Sequence, residues 1–155
     1  MADTLTVKTV GMENAISNIR ALAVASPEAV KRGTLRTALL VERQAKSNVP
    51  VDTGRLRASI STNWTGSGLS RGKVDAKAGP GDGVGQPGEK KDTFRAVVGS
   101  NVEYAAAVEF NETARHDSGG PHYLFSAYFA HEGDLDKEIA REVGKEIAKA
   151  LRKRK

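Results

Sequence analysis

The sequence has no cysteine, few aromatic residues and no long hydrophobic run. Without cysteine the chain has no disulfide bond, no cysteine-ligated zinc site and no thiol nucleophile. Aromatic residues make up only 5% of the chain, so a core must consist mainly of Val, Ile, Leu and Ala. No segment approaches the roughly 20 consecutive apolar residues that span a bilayer. The first residues also lack the layout of a signal peptide, so we expect a soluble protein made in the cytoplasm.

The length and charge of the chain indicate one domain with a basic end. The 155 residues suffice for a single domain with a modest core, so we expect residues 1–155 to fold together. Part of the net charge of +5 lies in a basic tail, Arg152 to Lys155. A short terminal run of charge is usually only solvated, although it can also neutralise phosphates.

Apolar periodicity predicts helices at both ends of the chain. A short strand is expected over Thr4–Val10, followed by a helix over Glu13–Ala25. Ser26 and Pro27 are residues that favour a new helical start, and the pattern then continues to about Asn48. Near the end of the chain a narrow apolar stripe recurs every four residues on a strongly charged helix, at Leu135, Ile139, Val143, Ile147 and Leu151.

The middle of the chain predicts a small sheet and a long loop. Residues alternate from Leu56 to Trp64, as in a half-buried strand, although a helical turn over Thr53–Arg57 before it is an alternative. A second strand is expected over Thr93–Gly99. Residues 66–92 between them are glycine-rich and almost devoid of large apolar side chains, so we expect a mobile loop that contributes no core.

Two shorter helices, over Glu103–Phe110 and Leu124–His131, complete the pattern. The predicted fold class is therefore α+β: N-terminal helices and a long C-terminal helix pack on a small, mainly antiparallel sheet.

Asp52-Thr53-Gly54 is the signature tripeptide of aspartic proteases. Those enzymes are built almost entirely of strands, whereas this tripeptide follows a long helical pattern. A turn explains the same residues: Pro50 ends the helix, Asp52 caps the turn by accepting backbone amides, and Gly54 permits it. We therefore predict a structural turn formed by Pro50, Asp52, Thr53 and Gly54.

No other motif predicts a catalytic, cofactor or metal site. Residues 83–88 match the glycine spacing of a dinucleotide loop, but no strand precedes them and no helix follows. His116, Asp117 and His122 could bind a metal, yet polar loop or interface roles are more common for such residues. We predict no catalytic residue, no cofactor and no metal.

Three segments in a fixed order carry a family resemblance. The first is Pro50-Val-Asp-Thr-Gly-Arg-Leu-Arg-Ala-Ser-Ile60, and the second is Tyr104-Ala-Ala-Ala-Val-Glu-Phe110. The third is Pro121-His-Tyr-Leu-Phe-Ser-Ala127, which departs most from the family pattern. Together they resemble the tail-completion family of long-tailed bacteriophages, whose members are minor tail components or neck proteins. The resemblance covers about residues 11–150.

The resemblance implies a structural virion protein of the phage neck, a subunit of a homo-oligomeric ring that completes the tail and joins it to the head. A hexamer is one candidate for that ring. Its expected partners are the head-closure protein and the tail terminator or tube, with no membrane. A ring needs two different contact surfaces on each subunit. The candidate interface residues are Tyr123, Phe125, Tyr128, Phe129, Ile139, Val143 and Ile147.

A basic tail facing the channel of such a ring would meet packaged DNA, which makes Arg152, Lys153, Arg154 and Lys155 candidate DNA-facing residues. The nearest alternatives are a tail terminator and a head-closure protein. A basic DNA-binding module and an aspartic-type protease are alternatives of other classes.

Overall fold

The computed structural model describes residues 12–65, 77–85, 87, 93–113 and 119–152, with only the backbone described for residues 12–25. The strand predicted for Thr4–Val10 lies outside the described residues. The described elements are five helices and two strands, in the order α1, α2, β1, β2, α3, α4 and α5.

The first element is one helix, α1, which spans Met12–Asn48. The helical restart predicted at Ser26 is wrong, because the helix continues through Pro27. An internal proline removes one amide donor and crowds the preceding turn, at a cost of about 3 kcal/mol. Helical patterns on both sides of Pro27, together with the packing of α1 on other helices from Ala29 onward, offset this cost.

A five-residue helix, α2 (Arg55–Ser59), follows the end of α1 after a short turn. The strand predicted to begin at Leu56 is therefore wrong at its start, and the helical turn considered as an alternative is present. The strand β1 covers only Ser61–Trp64. A helical turn buries Leu56, Ala58, Ser59 and Ile60 together, so the alternation of apolar residues did not require an extended backbone.

The second strand, β2 (Ala96–Gly99), pairs with β1 in the predicted antiparallel arrangement. Ser61 lies opposite Gly99, and Trp64 lies opposite Ala96. Three helices follow: α3 (Ala105–Phe110), α4 (Tyr123–His131) and α5 (Asp134–Arg152). The predicted α+β class is confirmed.

We call residues 49–60, which connect α1 to β1, the corner. The core lies between the C-terminal half of α1, the corner and α4. Its buried side chains are Val41, Ala45, Val49, Leu56, Ile60, Val102, Ala105, Tyr123 and Ala127. Helix α5 packs along a different part of α1, next to Gly33. The aromatic helix α4 is thus attached to the core, while α5 extends away from it along α1.

Candidate functional site

The turn between α1 and α2 has a left-handed residue at its end. Gly54 has φ +82°, a backbone conformation that other residues rarely adopt. The amide of Arg55 donates to Oγ1 of Thr53 at 3.4 Å, whereas among the described residues Asp52 accepts no backbone amide. The cap predicted for Asp52 is therefore wrong: the N-cap residue of α2 is Gly54, which has no side-chain cap, and the contact with Thr53 lies within the turn. Asp52 itself is exposed, as are Val51 and Thr53.

Arg55 holds this corner to two other parts of the chain. Its guanidinium group donates two hydrogen bonds to the carboxylate of Asp82, at 2.8 and 2.9 Å. The same group also contacts Glu103, just before α3, at 3.1 and 3.3 Å. The pKa of Asp82 is lowered, chiefly by the hydrogen bond from Arg55 and further by the amide of Gly79. Bidentate pairing of this kind fixes orientation as well as distance.

Asp82 belongs to the glycine-rich stretch that we expected to be a mobile loop without core residues. Residues 79–84 instead lie along the sheet. The amide of Asn101 donates to the carbonyl oxygen of Asp82 at 2.8 Å, and the amide of Val84 donates to Oγ of Ser61 at 2.9 Å. Gly83 also forms a bridge to Ser100. This segment contributes no residue to the hydrophobic core but does pack on the sheet through polar contacts, and the rest of the stretch lies largely outside the described residues.

Glu109 joins α3 to the start of α4. Its carboxylate is buried and accepts the amides of Leu124 and Phe125, at 3.0 and 2.9 Å. These amides have no partner inside their own helix, and the positive end of the helix dipole favours a negative charge there. The backbone of His122, left-handed with φ +58°, donates to the carbonyl oxygen of Glu109 at 2.8 Å. The orientation of α4 is thus set by one buried acid.

The residues before α4 pack against the end of α1. Gly119 has φ +74°, and a Cβ added there would lie 2.5 Å from the carbonyl oxygen of Asn48. The side-chain amide of Asn48 donates to Oγ of Ser126 at 3.0 Å. Only glycine fits so close to another backbone segment.

Tyr123 is a core residue, so its prediction as an interface residue is corrected. It is 3% exposed and packs with Ala127, one helical turn further along α4. Burial and the nearby Glu109 raise the pKa of the Tyr123 hydroxyl to about 12. It therefore presents no surface to a partner.

The other three aromatic residues of α4 form an exposed face. Phe125, Tyr128 and Phe129 are 55%, 52% and 56% exposed. Phe129 makes edge-to-face contacts with both of its neighbours, with ring centroids 5.1 Å from Phe125 and 5.5 Å from Tyr128. Phe110, which is not among the predicted interface residues, is 68% exposed and contacts His122 at the start of α4. We call Phe125, Tyr128 and Phe129 the aromatic face.

The predicted interface residues of α5 divide between two sides of the helix. Ile139 and Val143 are half-buried, and Ile139 lies against Gly33 of α1. These two side chains are therefore at least partly engaged within the chain. Ile147 is 40% exposed, and Leu151, one turn further, is 57% exposed. Both ends of the stripe therefore remain open, since Leu135 at the start of α5 is also 38% exposed.

Ion pairs reinforce the contact between α1 and α5. Glu142 is buried and lies 3.1 Å from both Arg32 and Arg36 of α1. Lys145 and Arg32 hydrogen-bond to its carboxylate and lower the pKa of Glu142. Arg32 also pairs with Glu146 at 2.6 Å. Glu142 and Glu146 of α5 therefore point towards α1.

The remaining chemical candidates do not come together. Within residues 12–65, 77–85, 87, 93–113 and 119–152, no three potential ligands could hold a metal ion. His122 instead bonds Glu112 at 3.2 Å, and His116 and Asp117 lie outside the described residues. Arg152 is exposed at the end of α5, whereas Lys153, Arg154 and Lys155 are also outside the described residues. Among the helices described, none is long and apolar enough to cross a membrane.

Comparison with known proteins identifies the family. The family model described as "Bacteriophage HK97-gp10, putative tail-component" matches residues 13–110, well over half of the chain. The matched region runs from α1 through the corner to the end of α3. Searches of the curated proteins and of the solved structures gave no significant match. The chain belongs to the HK97-gp10-like family of phage tail components.

Proposed function

We propose that this chain is a structural subunit of the phage neck, one copy of a ring that completes the tail and joins it to the head. Membership of a tail-component family supports a role in the virion. The observation that carries the proposal further is the aromatic face of α4, where one ring contacts both of the others and all three are more than half exposed. Contiguous exposed apolar surface of this kind is typical of a protein interface.

The aromatic face suits an assembly contact because it is held rigidly. Glu109 fixes the start of α4, and Tyr123 and Ala127 anchor its opposite side in the core. Aromatic side chains on a rigid element lose little conformational entropy on binding and often dominate interface energies. The partners proposed for the chain are other copies of itself and the adjacent head-closure, terminator or tube proteins.

A non-catalytic role is part of the proposal. In an aspartic protease two carboxylates share a proton and activate a water molecule. Asp52 is instead exposed on a turn that leads into a helix, and Thr53 and Gly54 serve the geometry of that turn. These features support architecture rather than hydrolysis as the role of the tripeptide.

The test is electron microscopy of the purified chain mixed with tails that lack it and with filled heads. The wild-type chain is expected to add a ring-shaped layer to one of these particles. The double variant Phe125→Ser, Phe129→Ser is expected to lose this binding, because it removes most of the aromatic face.

The matched control is Leu39→Ser, which replaces a side chain of α1 that is 45% exposed. It should bind the particles as the wild type does. A wild-type chain that binds neither tails nor heads would overturn the neck assignment. Binding only to the end of the tail tube, without head contact, would favour the tail terminator.

A further inference from the structure

The aromatic face has acidic residues at both ends. Glu132 follows Phe129 by three residues and Tyr128 by four, and its helical backbone continues the same face of α4. Glu112, 77% exposed, lies at the other end, where it bonds His122. The exposed surface of α4 between them carries no charged side chain. It is therefore an apolar patch with an acidic rim.

The outer side of α5 has the opposite character. Exposed residues that recur at three- and four-residue spacing place small and apolar side chains on one line, namely Ala140, Gly144, Ile147, Ala148 and Leu151. We call this line the outer face of α5. A Cβ added to Gly144 would meet nothing within 4 Å, so no packing within the described chain requires a glycine there.

Basic side chains border the outer face. Arg141 and Lys145 are 49% and 52% exposed, and Arg152 follows two turns later on the same edge. Arg141 pairs with Glu138 and Lys145 pairs with Glu142, and both acids are mostly buried. Glu142 and Glu146 also contact Arg32 of α1. From Glu138 onward, the acidic side chains of α5 are thus largely buried and the basic side chains are exposed, whereas Asp136 near the start of the helix is exposed.

We infer that the aromatic face of one copy docks on the outer face of α5 of a second copy, an inference that rests on the proposed ring. Bulky rings complement a line of small residues, and an acidic rim complements a basic one. Pairing of two aromatic faces would bring like charges together, which is unfavourable. Leu151 lies about 26 Å along α5 from its first residue. The outer face begins at Ala140, only about 9 Å along the helix. The two surfaces are nevertheless on different helices and do not share residues, as a head-to-tail contact requires.

The test uses one variant on each surface. Phe125→Ser with Phe129→Ser removes the aromatic face, and Gly144→Glu places a negative charge on the outer face of α5. Since nothing lies within 4 Å of that position, Gly144→Glu should fold normally. Each variant alone should self-associate at least tenfold more weakly than the wild type in analytical ultracentrifugation. Leu39→Ser should associate as the wild type does.

Mixing the two variants gives the decisive result. The first variant keeps an intact outer face and the second keeps an intact aromatic face. One functional contact therefore forms, and the mixture should contain heterodimers and no larger species. High salt should weaken this heterodimer, because the two rims carry opposite charges.

Three outcomes would overturn the inference: a wild-type chain that stays monomeric at every concentration, a mixture that forms no heterodimer, or Gly144→Glu that still self-associates fully. The same wild-type sample is tested for binding to tails and heads. If it binds these particles while the interface variants behave like the wild type, only this interface is wrong and the proposed function stands.

Discussion

The guanidinium group of Arg55 faces two carboxylates from distant parts of the sequence, Asp82 and Glu103. Asp82 is buried, so removing Arg55 leaves a carboxylate without its main partner. We expect Arg55→Met to lower the free energy of unfolding more when Asp82 is present than after Asp82→Asn. A double-mutant cycle measured by urea unfolding tests this coupling. Additive effects of the two substitutions would contradict it.

The same pair predicts a dependence of stability on pH. The pKa of an aspartate is ordinarily 3.8, and the folded protein lowers the pKa of Asp82. At pH values between the lowered pKa and 3.8, the folded state therefore binds fewer protons than the unfolded state. The contribution of Asp82 is therefore present above about pH 5 and lost as the pH falls below about 4. We expect the wild type to lose more stability than Asp82→Asn between pH 5 and pH 3. Equal losses in the two proteins would contradict the shift.

Glu109 is the second single residue on which the architecture depends. Glu109→Ala leaves two amides at the start of α4 without an acceptor, which should cost about 2–3 kcal/mol. Glu109→Gln keeps one acceptor oxygen and should cost less. Glu112→Ala is the control, because Glu112 is 77% exposed and should change the free energy of unfolding by less than about 0.5 kcal/mol. Similar losses for Glu109→Ala and Glu112→Ala would show that the cap is unimportant.

Among the helices, two internal glycines offer a matched comparison. A Cβ at Gly33 would lie 2.7 Å from the backbone of Ile139, whereas a Cβ at Gly144 would meet nothing within 4 Å. Gly33→Ala should therefore destabilise the contact between α1 and α5 by about 1–3 kcal/mol. Gly144→Ala should stabilise the protein by about 0.5–1 kcal/mol. Urea unfolding at low protein concentration, where self-association is weak, measures both changes in the free energy of unfolding. If the two substitutions changed it in the same direction, the packing described for these two glycines would be contradicted.

Local pattern predicted the long helices and the pairing of the strands, because each depends on periodicity within one segment. It failed at Leu56, since a single helical turn buries the same apolar residues as an alternating strand. It also missed Asp82, because nothing in a glycine-rich stretch indicates an ion pair with a residue 27 positions away. For α4 the sequence does contain the signal. Helical spacing places Tyr123 and Ala127 on one side of the helix and Phe125 and Phe129 on the other, which separates the buried residues from the exposed ones.

At the scale of the whole molecule, the basic residues of the C-terminal region fall into two groups with different proposed roles, self-association and DNA contact. Arg141 and Lys145 border the outer face of α5, whereas the basic tail extends beyond it. If the tail meets packaged DNA, neutralising it should affect DNA binding without affecting self-association. Its contribution should also depend strongly on salt, since contacts with phosphates release counterions.

The triple variant Lys153→Gln, Arg154→Gln, Lys155→Gln keeps Arg152 and tests this separation. In fluorescence anisotropy with duplex DNA, the slope of log affinity against log salt should become shallower by about 2–3, since each phosphate contact contributes roughly 0.9. Self-association and binding to tails should stay as in the wild type. An unchanged slope would show that the tail is only solvated. Tight DNA binding by the monomer, with no binding to tails or heads, would instead favour a DNA-binding module over a neck subunit.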